Sequence, residues 1–131
     1  MALEPERMDR SYQFGRLLAV MEKAERDTYN SGNSREPNAI RMQTIFCQRP
    51  MDVAANLEKQ LERAYFPKLT TGSRIWYKNL IGQILEIISN FPGEENKPLG
   101  ETYLMGYYLQ RNALYTKNNR TNDNMEDQEN E

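Results

Sequence analysis

A chain of 131 residues with a formal net charge of −2, one cysteine and no histidine is long enough to bury one core, roughly two-thirds of its unfolded surface, without a metal or a disulfide. Cys47 alone excludes an intramolecular disulfide and suits a reducing cytoplasm, and the missing histidine removes the usual general base for a serine or cysteine nucleophile. No apolar run approaches the ~20 residues of a bilayer span and no basic-then-apolar leader opens the chain, so a soluble, non-exported, cytoplasmic protein is expected.

In chain order, the first helix is predicted over about Met8 to Asn30. Phe14, Leu17, Leu18, Val20, Met21 and Ala24 share one face, and the Asn30, Ser31, Gly32, Asn33 cluster ends it. Glu25 intrudes on that face. A short second helix, Asn38 to Gln48, is bounded by Pro37 and Pro50. A third, Pro50 to Tyr65, starts on a proline whose missing N–H costs nothing and carries the stripe Val53, Leu57, Leu61, Ala64, Tyr65. The fourth, Ser73 to Asn90, has an apolar arc over about half its circumference, which predicts that it is the central element. Trp76 and Tyr77 are read as core there, with Gly82 on the opposite side. Phe91, Pro92 and Gly93 end it, and a fifth helix runs from about Glu101 to Thr116, with Gly106 on a small-residue surface suited to close helix contact. The expectation is all-α: a single bundle of about five helices over residues 1–117, followed by a disordered acidic tail over residues 118–131 with one apolar residue.

Charge is uneven along the chain. Residues 35 to 78 hold eight basic and four acidic side chains, whereas residues 118–131 hold one and five. A basic surface is therefore hidden by the overall balance. Arg74 and Lys78 lie one helical turn apart beside Trp76 and Tyr77, and Lys68 precedes them in a loop; with Arg41 and Arg49 they are the candidate nucleic-acid contacts. Such groups hold phosphates without reading sequence. The competing reading is that these side chains only solvate helix surfaces.

The fifth helix carries a further candidate. Tyr103, Leu104, Tyr107, Tyr108, Leu114 and Tyr115 fall on one arc, with Arg111 near its centre. A guanidinium there needs an internal carboxylate, for which Glu25 is the first choice and Glu22 the second, or an external anion such as phosphate. No catalytic, metal or cofactor motif is present: there is no phosphate-cradling glycine loop and no zinc spacing. Glu58 and Glu62 sit beside Lys59 and Arg63 as ordinary surface ion pairs.

Three ordered segments, Arg10 to Glu25 (RSYQFGRLLAVMEKAE), Arg74 to Ile88 (RIWYKNLIGQILEII) and Gly106 to Tyr115 (GYYLQRNALY), resemble the C-terminal region of the large subunit of the type I-C CRISPR surveillance complex, Cascade. In that family the region is also made separately, from an internal start, as the small subunit, and this chain opens with its own methionine. The resemblance implies a non-catalytic subunit that touches the repeated backbone subunits, the large subunit and further copies of itself. It also implies that the chain helps an RNA-guided complex hold opened target DNA, with cutting left to a separate nuclease-helicase. A helical adaptor binding only protein, through the Gly106 and Gly82 surfaces, is the alternative.

Overall fold

The computed structural model describes residues 1–30 and 32–116 in full, and the expected acidic tail, residues 118–131, lies outside the described residues. The helices are α1 (Arg10–Arg26), α2 (Asn38–Arg41), α3 (Gln43–Gln48), α4 (Pro50–Gln60), α5 (Thr71–Ile88) and α6 (Thr102–Asn130), with no strand among the described residues. Local chemistry sets their ends. Asp9 caps α1 by accepting from the Tyr12 N–H at 3.2 Å, and Thr70 caps α5 through the Ser73 N–H at 3.1 Å. Pro50 occupies the first turn of α4. The expected second helix is divided at Met42 into α2 and α3, and the expected third continues beyond α4 as a π-helical turn, Leu61–Tyr65, and a 3-10 turn, Phe66–Lys68.

The centre of the bundle is α1, not the helix the apolar arc singled out. Every residue from Ser11 to Glu25 is buried, because α5, α6 and the α2–α4 layer pack around α1. By contrast α5 buries a single stripe, Tyr77, Ile81, Ile84 and Ile88. Tyr77 is core as expected, but Trp76 is 39% exposed and Ile75 51%. An apolar arc thus marks what a helix can bury, whereas its position in the layers decides how much of the arc is covered.

The tightest contact is the crossing of α1 and α6. A Cβ added at Gly15 would lie 2.1 Å from the Tyr103 carbonyl oxygen, and one at Gly106 would lie 2.0 Å from that of Tyr12. The two backbones therefore touch where only hydrogen fits. The close approach expected at Gly106 is internal, so this glycine presents no surface to a partner. Gly82 has no neighbour within 4 Å of an added Cβ.

Candidate nucleic-acid interface

Three acids of the last turns of α1 and its cap, Glu22, Glu25 and Asp27, organise this end of the bundle. Each accepts a tyrosine hydroxyl from a different neighbour: Tyr107 of α6 donates to Glu22, Tyr29 of the following loop to Glu25, and Tyr77 of α5 to Asp27. Burial first, and the bonded carboxylate second, push all three phenols well above the ordinary tyrosine value, so they remain protonated donors. Glu25 also accepts the Asn38 N–H at 3.0 Å, which fixes the start of α2 against α1.

That geometry corrects the first-choice partner of Arg111. Glu25 is taken by Tyr29 and Asn38, and Glu22 is the acid beside Arg111, with the guanidinium Nε 4.0 Å from its carboxylate. Glu22 is shared with Arg26, whose Nε donates at 3.1 Å. The Arg111 Nε–H has no hydrogen-bond acceptor, and the side chain is 42% exposed, with its guanidinium carbon 5.6 Å from the Tyr115 ring centre. Arg111 is thus loosely tied to one internal acid while reaching towards solvent.

The fully buried arginine is Arg16, at 3% exposure, which the sequence reading did not single out. It donates to Gln110 of α6 at 2.8 Å, to Gln13 at 2.8 Å and to the Pro5 carbonyl at 2.6 Å, tying α6 and the N-terminal segment to α1. Burial lowers its pKa from the usual arginine value. Gly15 was the available signal: a glycine inside an otherwise regular helix marks a place where another backbone arrives, and its neighbour is then enclosed.

Around the third side of α1, Tyr65 collects cations. Its hydroxyl accepts from Arg35 at 2.7 Å and from the Asn38 amide at 3.3 Å, and Asn38 in turn accepts from Arg41. Lys68 lies 5.8 Å and the Arg35 guanidinium 6.0 Å from the Tyr65 ring centre. The π-helical turn is the device that delivers Tyr65 here, since the extra residue re-aims side chains after α4.

Immediately beyond, a cleft of about 370 Å³ is lined by Glu62, Phe66, Pro67, Arg74, Ile75, Lys78 and Asn79. Lys78 pairs with Glu62 at 3.1 Å, both about half exposed. An exposed pair of this kind holds about 0–1 kcal/mol and can exchange its carboxylate for another anion at little cost. Among the candidates, then, Arg41 and Lys68 lie about Tyr65, and Arg74 and Lys78 line the cleft on α5. Arg49 does not join them: it sits at the start of α4, roughly 20 Å of helix from Tyr65, and pairs with Asp52 at 2.7 Å. Arg35 belongs with the group although the sequence reading passed it over; only the folded position of Tyr65 reveals it.

Chemically, this end of the bundle offers donors and positive charge above a layer of satisfied acids. Among the described residues no helix is long and apolar enough to cross a membrane. No curated protein matches the chain. The sequence profile of the family described as CRISPR-associated protein (Cas_Csd1) matches residues 1–115, nearly all of the described chain, and the protein belongs to that family.

Proposed function

We propose that this chain is a non-catalytic small subunit of a type I-C CRISPR surveillance complex, acting in the cytoplasm. In this role it braces the repeated backbone subunits and stabilises opened target DNA, chiefly the displaced strand, by phosphate contacts. The observation that supports the reading is two cationic groups, Arg35, Arg41 and Lys68 about Tyr65, and Arg74 and Lys78 lining the cleft beside Phe66. These groups supply affinity without sequence discrimination, which is what a strand set aside by guide pairing requires. Arg111 provides a further phosphate contact at the α6 flank.

The test is the salt dependence of binding. Neutralising about three to five phosphates gives a logarithmic slope near −0.7 per phosphate for a single strand, so titration of a fluorescent oligonucleotide at several salt concentrations should show a slope of about −2 to −3.5. Combining Lys68→Gln with Arg74→Gln should lower the slope by roughly 1.4. A slope indistinguishable from zero removes the phosphate mechanism even where binding is seen.

A further inference from the structure

The aromatic arc of α6 divides into two halves. Tyr103, Tyr107 and Leu114 are buried against α1, while Leu104, Tyr108 and Tyr115 stand outward at 48%, 53% and 38% exposure with Arg111 among them. The outward residues recur at close to one helical turn and span roughly 16 Å along the axis. Tyr108 is held edge-on against buried Tyr107, ring centres 5.0 Å apart, so one aromatic edge is anchored and the rest of the ring is offered outward. Lys23 lies 5.1 Å from the Tyr115 ring centre on the side facing α1.

We infer that this outward face is a stacking platform for single-stranded nucleic acid, with Tyr108 and Tyr115 receiving bases and Arg111 the intervening phosphate. Three observations favour a nucleic acid as occupant. First, from Thr102 to Lys117 the sequence holds two basic residues and no acidic one, so a strand laid along the helix meets no like charge. Second, the nearest acid, Glu22, is buried and already receives Tyr107 and Arg26. Third, Arg111 is 42% exposed and its one carboxylate contact, from the buried Nε to Glu22, is a long 4.0 Å, so the outward end of the guanidinium is available to a phosphate. Aromatic faces with an arginine between them accept any base, because every base has a π face, and they accept it only when it is unstacked from a duplex.

This inference rests on the nucleic-acid reading above but adds to it. The Tyr65 turn grips phosphates of either form, whereas the α6 platform discriminates single strand from duplex. Anisotropy titrations of the full chain with a labelled single-stranded oligonucleotide and with its duplex separate the two. Tyr108→Ala should weaken single-strand binding by about 5- to 150-fold, the range for losing one stacked base, while leaving the salt slope and duplex binding unchanged. Tyr108→Phe should restore the affinity, and Arg111→Gln should lower the single-strand slope by about 0.7. Wild-type affinity in Tyr108→Ala, alongside weakened binding in Lys68→Gln/Arg74→Gln, would overturn the platform, assign the face to a protein surface and leave the nucleic-acid reading standing. Failure of the wild-type chain to bind either oligonucleotide at low salt would overturn both. Tyr108 projects from the fold, so an unchanged melting temperature in both variants checks that the loss is local.

Discussion

Replacing Gly106 by alanine tests the crossing on which the whole bundle is hung. The added Cβ would sit 2.0 Å from the Tyr12 carbonyl oxygen, 2.8 Å from its carbon and 3.0 Å from its Cα, whereas favourable carbon contacts lie near 3.5–4.0 Å. These are backbone atoms of the buried central helix, so no side chain can rotate away and α6 must retreat by more than about 1 Å. A retreat of that size forfeits a quarter to a half of each affected dispersion contact, and the residues affected include Tyr103, Tyr107, Gln110 and Leu114, all buried on α6. Overpacking of this kind costs about 1–3 kcal/mol and occasionally more, offset by about 1 kcal/mol of helix propensity. We expect a net loss of about 1 kcal/mol and at most about 2, a fall of roughly 3–10 °C in melting temperature for a domain of this size. Gly82→Ala is the internal control, since nothing lies within 4 Å there and alanine should raise stability by up to about 1 kcal/mol. Far-UV circular dichroism melts and urea titrations of both variants decide the matter. A Gly106→Ala protein that melts at or above the wild-type temperature would show that α1 and α6 do not touch at this point.

Other consequences follow from the same contacts. Arg16→Met removes the donor shared by Gln110, Gln13 and Pro5, leaving buried acceptors bare at about 1–3 kcal/mol each; urea unfolding should show a loss of at least 2 kcal/mol or so, with faster proteolysis ahead of Arg10, and an unchanged midpoint would refute the latch. Arg111→Ala should cost less than about 1 kcal/mol, because Glu22 keeps Tyr107 and Arg26; a loss several times larger would mean that the 4.0 Å contact is a true buried pair. Tyr29, Tyr77, Tyr103 and Tyr107 have pKa values raised from 10.0, chiefly by burial. Their preference for the neutral form is fully present below pH 10 and is lost as pH rises through the folded values, so stability should fall above about pH 10. Phenolate absorbance should then appear together with unfolding, and titration of these phenols in the folded protein near pH 10 would contradict their burial.

Helix ends were legible because they are local chemistry. Pro50 acts within a turn and starts α4 where it stands, whereas α5, expected from Ser73, begins at Thr71 because Thr70 caps it. The position of a helix in the layers is not local, which is why α5, richer in Ile and Leu, looked central while α1 is. The polar side chains Gln13, Arg16 and Glu22 lie outside the apolar face read for α1, yet each is buried against partners distant in sequence or in the N-terminal segment. The tyrosine arc of α6 fails as a single feature for a related reason: a helix at the edge of a bundle covers only part of its apolar face. Arg35 illustrates the limit for the candidate interface. Its place in the cationic group depends on the Tyr65 hydroxyl, 30 residues away and aimed by a π-helical turn that no spacing rule foretells.

The arrangement of phenols and acids also bears on the proposed cationic face of a chain of net charge −2. Had Glu22, Glu25 and Asp27 been neutralised by cations alone, those cations would have been drawn inward and held there. Each acid instead receives a tyrosine hydroxyl, a neutral donor that satisfies a carboxylate without bringing charge. Only Arg26 and Lys23 make close ion pairs with these three acids. Among the described residues, Arg35, Arg41, Lys68 and Arg74 therefore have no carboxylate within 4.0 Å, and Arg111 reaches only the edge of that range. Their donors are engaged by neutral groups, Tyr65 and Asn38 for Arg35 and Arg41, and a phosphate competes far better with an amide or a phenol than with a carboxylate. The acids Glu22 and Glu25 lie buried beneath tyrosines, whereas Asp27 and Glu62 stay exposed and temper the field of these cations.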